Sequence, residues 1–101
     1  MQASVTKEGA KATIKLAGRF DFNTHREFRG AYEPLVGDAG VKEVVIDFAG
    51  VDYLDSSALG MLLMLRDKLS GAGKEVALEA VRGNVKQVLD IANFGKLFRI
   101  A

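Results

Sequence analysis

Near the start of the chain the apolar positions recur every second residue. Ala12, Ile14 and Leu16 alternate with Thr13, Lys15 and Ala17, the period of a half-buried strand. With "SVTKE" ahead of it and Gly9-Ala10 between, the segment predicts an opening hairpin. From Thr24 the period lengthens: Phe28, Ala31, Tyr32 and Leu35 fall at i, i+3, i+4 and i+7, one face of an amphipathic helix. Thr24 and Glu27 have the spacing of a capping box at its entrance, and Pro34 inside it predicts a kinked or shortened last turn. Val44, Val45, Ile46 and Phe48 form a nearly unbroken apolar run, the pattern of a central strand buried on both faces of a parallel sheet. Residues 56 to 70 read as a second helix ended by Gly71-Ala72-Gly73, and Val76, Leu78 and Ala80 alternate as a further strand. A third helix carries Val85, Val88, Leu89 and Ala92 on one face; "NFG" ends it and "LFRI" closes the chain as a short strand. The order β-β-α-β-α-β-α-β predicts an α/β fold, a mixed sheet of about five strands covered by three helices.

The junction between the central strand and the second helix carries the one segment with chemical potential. Asp55-Ser56-Ser57 stands directly before an apolar helix, and its simplest role is to cap that helix, because Asp and Ser side chains accept hydrogen bonds from the free first-turn N–H groups. A hydroxyl placed after a strand, at the positive end of a helix, is also where α/β folds handle phosphate. Either Ser is therefore a chemically suitable phosphoryl acceptor. Gly60, one turn further, costs the helix roughly 1 kcal/mol against Ala, which asks for a close neighbour, either the sheet beneath or a partner above.

"YLDSSALGMLL", between a hydrophobic strand and a helix, resembles the signature of STAS domains, in particular of stand-alone bacterial anti-sigma factor antagonists. A second segment, "GRFDFNT" (residues 18 to 24), is similar to that family's turn from strand into first helix; "NVKQVLDIANFGKLFRI" matches more weakly. The likeness runs from about Ser4 to Ile100, so residues 1–101 are expected to form a single STAS domain. The resemblance implies a switch protein without a catalytic centre or cofactor of its own. Ser56 would be phosphorylated by a serine kinase that is also the anti-sigma factor and dephosphorylated by a serine phosphatase. Asp21, Asn23, Thr24, Asp55, Ser57 and Met61 would form the partner-binding surface around it. Ala58 stands where many members have Gly. The chain ends just past its last strand, where larger members add a covering helix, which leaves one sheet face and the oligomeric state, monomer or weak dimer, open.

Composition narrows the alternatives. The 101 residues are 49% hydrophobic and carry fourteen basic against thirteen acidic side chains, a net charge of +1, so nothing favours nucleic acid or an anionic membrane as partner. With no cysteine, thiol catalysis and disulfides are excluded; no run approaches the roughly 20 apolar residues of a membrane span, and a cytoplasmic location is expected. His25, the single histidine, is expected to be merely exposed and leaves a metal site or a Ser-His couple unsupported. Asp47 and Asp52, at and beyond the end of the central strand, lack the acidic pair and late Lys of a receiver domain. A hydrolase using Ser56 would want a G-x-S-x-G elbow and a general base, and neither is present. A second reading within the family is a STAS subunit of an ABC-type lipid transporter, docked constitutively on its ATPase through a second helix that is apolar on two sides, with Met61, Met64, Leu65 and Lys68 on one face and Leu59, Leu62, Leu63 and Leu69 on the other stripe.

Overall fold

A computed structural model describes residues 1–101. Seven elements follow the predicted order: β1 (Gln2–Glu8), β2 (Lys11–Phe20), α1 (His25–Val36), β3 (Glu43–Leu54), α2 (Ser56–Gly71), β4 (Glu75–Glu79) and α3 (Gly83–Ile91), with a two-residue β5 (Arg99–Ile100) at the end. Spatial order equals chain order, β1-β2-β3-β4-β5. The β1–β2 hairpin is antiparallel and every later pairing is parallel. Each parallel pair is joined through one helix, and such crossovers are right-handed. Because the strands are added always on the same side, that handedness brings α1, α2 and α3 to the same face of the sheet.

The core follows from this. Ala12, Ile14 and Leu16 of β2, Val44, Ile46 and Phe48 of β3 and Leu78 of β4 form one cluster with Phe28, Tyr32 and Leu35 of α1, Leu62, Leu65 and Leu69 of α2, and Val85 and Leu89 of α3. The opposite face carries Lys11, Lys15, Glu43, Asp47, Glu75 and Arg99, paired across strands as Lys11 with Glu43 and Lys15 with Asp47. The expectation of a sheet covered on both faces is thus corrected: one side is solvated. Val45 and Ala77 are buried there beneath charged neighbours, and Arg99 reaches across the small Ala77 to Glu43 at 2.6 Å.

β3 is longer than its apolar run. The "AGVDYL" stretch after that run continues the strand to Leu54 and pairs with β2 as far as Phe20↔Leu54, through irregularities beside Ala17 and Gly18. Asp47 and Asp52 accordingly lie within the strand. Gly50 makes the first irregularity possible, because a Cβ on it would stand 2.9 Å from the Leu16 carbonyl oxygen and 3.1 Å from Ala17 Cβ. Elsewhere, α1 ends at Val36, two residues past Pro34. Its predicted capping box is absent: Thr24 makes no side-chain cap bond, since its Oγ1 donates backwards to the Asp21 carbonyl (2.7 Å). Leu97 and Phe98 fall outside β5, behind a 3-10 turn at Phe94–Lys96, with Phe98 buried.

At the amino ends of the parallel strands one buried cation holds the α1–β3 connection. Lys74 Nζ donates to the carbonyls of Asp38 and Val41, each at 2.7 Å. Asp38 in turn accepts from Lys7 Nζ (2.6 Å) and the Gly40 amide, and the Lys7 hydrogen bond is the main reason its carboxyl titrates below the ordinary range.

Two stability experiments follow. Gly50→Ala has no unstrained position for its methyl, so urea unfolding should show a loss of about 1–3 kcal/mol; no loss would mean that β3 shifts freely at this point. A carboxyl depressed in the folded state stabilises above its unfolded pKa and loses that contribution as pH falls through the folded value. Lys7→Ala should therefore flatten the acid limb of the stability curve between pH 5 and 2 while leaving its shape at neutral pH unchanged.

Candidate functional site

The carboxyl ends of parallel strands, where α/β folds present their ligands, are brought together here by β2 and β3. Phe20 fixes the first edge: fully buried, its ring centroid lies 4.8 Å from that of Phe28 and 6.3 Å from that of Phe48. The chain leaves the sheet at Asp21, which is extended and caps a short 3-10 turn at Phe22–Thr24 through Oδ1, accepting from the Asn23 amide at 3.0 Å. The Thr24 amide also donates to the Asp21 carbonyl, at 3.0 Å, closing the turn.

Leu54, paired with Phe20, carries the second edge. The Asp55 amide donates across to the Phe20 carbonyl (3.3 Å) and lashes the two loops together. Asp55 is extended, and its Oδ1 accepts the Ala58 amide at 3.0 Å. The helix cap is therefore Asp55 and not a serine. This leaves the Ser56 and Ser57 amides as first-turn donors without a protein partner, and Ser56, the first helical residue, is exposed while Ser57 is half-buried. A third link joins the edges: Arg19 lies 4.0 Å over the Tyr53 ring and its Nε is 3.6 Å from Asp21 Oδ2.

Of the residues predicted to meet a partner, Asp21, Asn23, Asp55, Ser56 and Ser57 are thus gathered on one shelf. Two are corrected. Thr24 is 7% exposed and Met61 6%, so neither presents its side chain; Thr24 closes the 21–24 turn, and Met61 belongs to the core cluster and lines the narrow crevice between α1 and α2 with Phe28 and Tyr32. The exposed methionine is Met64, and the most exposed aromatic is Phe22, at 71%. Phe22 escaped sequence reasoning because it continues the alternation of Phe20, as a buried strand residue would. Met61 and Met64 share one stripe in the sequence pattern, which does not tell which of them is buried, because α2 is apolar nearly all round and lacks the amphipathic contrast that tells inside from outside.

His25 is exposed, and no three His, Cys, Asp or Glu side chains stand close enough together to hold a metal ion. Asp47 accepts the Ala49 amide on the solvated face. The largest groove, about 630 Å³ and lined by Gln2, Ser4, Lys15, Glu27, Asp47 and Ala49 among others, shares no residue with the shelf. No helix is long and apolar enough to cross a membrane.

A right-handed β-α succession over a mixed five-stranded sheet, with an Asp-capped Ser-Ser helix start at its carboxyl edge, defines a STAS fold. The chain belongs to the STAS family: the family model described as "Mlab, STAS domain" matches residues 3–99. It is 43% identical over 94 residues to the STAS-domain containing protein PA14_20770 of Pseudomonas aeruginosa, covering 93% of this chain and 91% of that one. Among solved structures, an anti-sigma factor antagonist from Mycobacterium paratuberculosis superposes with a TM-score of 0.85 at 22% identity, over 98% of this chain and 83% of the other. The Bacillus cell fate determinant SpoIIAA in its phosphorylated form superposes with a TM-score of 0.74 at 17% identity, over 98% and 90%.

The opposite placement of the two methionines can be measured. Met61→Ala should cost about 2–5 kcal/mol of stability, whereas Met64→Ala should stay within about 0.5 kcal/mol of the parent. Similar losses for both would contradict the orientation of α2.

Proposed function

We propose that this protein is an anti-sigma factor antagonist whose binding state is set by phosphorylation of Ser56. The observation that carries the reading is the division of labour at the start of α2: Asp55 supplies the cap, so Ser56 stays exposed with its hydroxyl uncommitted at the positive end of a sixteen-residue helix. Unphosphorylated, the shelf of Asp21, Phe22, Asn23, Ser56 and Ser57 binds an anti-sigma factor that is also a serine kinase and so releases the sigma factor. Phosphorylation adds about −1.5 to −2 charge beside Asp21 and Asp55. Taking a nanomolar complex to micromolar requires roughly 4 kcal/mol, within the several kcal/mol that like charges juxtaposed at an interface can supply. Within the fold, the helix dipole and the free Ser56 and Ser57 amides offset the new charge by about 0.3–1 kcal/mol. The switch accordingly acts on binding far more than on folding. A serine phosphatase restores the first state.

A second reading is favoured by the apolar exposed part of α2, where Leu63 and Met64 are 36% and 47% exposed. A STAS subunit docked constitutively on the ATPase of an ABC-type lipid transporter would use such a helix face and need no phosphate.

Three forms of the protein separate the readings. Mass spectrometry of protein from its native cells should find one phosphate on the Ser56 peptide, absent in Ser56→Ala and retained in Ser57→Ala. Ser56→Ala should bind its partner constitutively and Ser56→Asp should stay folded yet bind less, giving opposite sigma-dependent outputs. Equal binding and output for the wild type and both Ser56 variants would sink the phosphoswitch and leave constitutive docking.

A further inference from the structure

The sheet has two outer edges, and only one of them is guarded. β5 at one side is two residues long, and shortness is one of the ways a sheet edge avoids pairing with another chain. β1 at the other side runs for seven residues, Gln2–Glu8, without a proline and with its two charges, Lys7 and Glu8, at one end. It pairs one-to-one with β2 throughout, so no bulge twists it away. The Gly9-Ala10 connection fixes which of its backbone groups are free. Gly9 has φ +62° and the loop is two residues long, so the flanking pair Glu8↔Lys11 exchanges both its hydrogen bonds. Counting back by twos, Thr6, Ser4 and Gln2 also bond to β2, whereas Lys7, Val5 and Ala3 turn their N–H and C=O groups outward. No other strand or loop supplies those groups with a backbone partner.

We infer that this edge pairs with β1 of a second copy of the chain, antiparallel about a two-fold axis at Val5. That register overlaps the whole strand and sets Val5 opposite Val5 and Ala3 opposite Lys7, pairs in which outward N–H and C=O groups meet. The side chains fit their own copies. Ala3, Val5 and Lys7 lie on the helix-covered face, beside Leu16, Ile14 and Ala12 of the core, and Val5, 38% exposed in the single chain, is covered by its counterpart. The second copy's Lys7 arrives beside Ala3, which lines one groove together with Glu27, a carboxylate with no ion pair in its own chain. Lys7 holds Asp38 at 2.6 Å, and its ammonium has donors left for Glu27 across the axis. On the solvated face Ser4 meets Thr6 and Gln2 meets Glu8, so no like charges stand opposite one another. Such self-complementarity is what a two-fold interface requires. The pairing needs no phosphate and is independent of the phosphoswitch.

Sedimentation velocity of the full chain from micromolar to millimolar concentration, combined with hydrogen exchange, tests the pairing. The apparent mass should rise toward twice that of the monomer. The amides of Ala3, Val5 and Lys7 should exchange freely in dilute protein and become protected as the concentration rises, while those of Ser4, Thr6 and Glu8 stay protected throughout. Val5→Pro removes an N–H that the monomer leaves unbonded, a position where an edge strand tolerates proline, and should weaken the dimer at least about tenfold. Val5→Lys, which sets like charges on the axis, and Glu27→Lys, which turns attraction to Lys7 into repulsion, should weaken it as well, whereas Leu63→Lys on α2 should not. Where a Val5 variant fails to fold, the exchange pattern of the wild type and Glu27→Lys decide. A chain that stays monomeric at every concentration, a dimer in which Ala3, Val5 and Lys7 exchange freely, or a dimer indifferent to Glu27→Lys or to a folded Val5 variant would overturn the pairing and leave the edge to a foreign strand or to solvent.

Discussion

Everything at the functional edge depends on β3 passing Leu16 at a separation that only a glycine tolerates. At Gly50 the strand comes so near the Leu16 carbonyl and Ala17 that no side chain fits, and the irregularity there lets β3 resume its pairing with β2 up to Leu54. β4 follows β3 only as far as Asp47↔Glu79. The last residues of β3 therefore stand beyond β4, paired with β2 alone. This makes the shelf: two strand ends side by side, joined by the Asp55 amide to the Phe20 carbonyl, with the β4–α3 connection closing on the other edge of β3 through Arg82, which donates to the Ala49 carbonyl at 2.7 Å.

One-sidedness follows from chain order and handedness alone. A strand added always to the same edge, through right-handed crossovers, leaves its helices no second face to occupy. The back of the sheet must then be solvated. Between β2 and β3 its charges pair with opposite sign, Lys11 opposite Glu43 and Lys15 opposite Asp47, which contributes modestly; between β3 and β4 carboxylates stand opposite each other, Glu43 with Glu75 and Asp47 with Glu79, and Arg99 reaches Glu43 from the far side.

Much of this was legible in the sequence, and the failures have definite causes. Period-2 and period-3.6 patterns placed every major element, because each has one buried face in register with its own geometry. Val45 was misread as evidence for a covered second face; it is buried by long polar neighbours on adjacent strands, an effect that a linear pattern does not contain. The continuation of β3 through Ala49, Gly50 and Asp52 was missed because its exposed positions, freed from the period by two irregularities, look like a loop. Thr24 and Glu27 had the spacing of a cap, yet the Thr24 hydroxyl is taken by the Asp21 carbonyl, a competition set by the turn that precedes the helix. Asp21 and the Asp-Ser-Ser segment were found together through family resemblance; their proximity is enforced by pairing between β2 and β3, which sequence spacing does not reveal.

The two ends of the sheet are held in different ways. At the amino end a buried Lys74 spends its donors on backbone carbonyls, and leaving such a buried polar group unpaired is costly, so that end is locked. At the carboxyl end the hydrogen bonds that hold the shelf come from Asp21, Asp55 and backbone amides, and none requires the Ser56 hydroxyl. A group excused from structural duty can change its charge without unravelling what surrounds it. Had Ser56 been the cap, phosphorylating it would have altered the helix start and coupled the switch to unfolding. With Asp55 in that role, a phosphate on Ser56, as proposed, would leave the helix start intact and act outward from it.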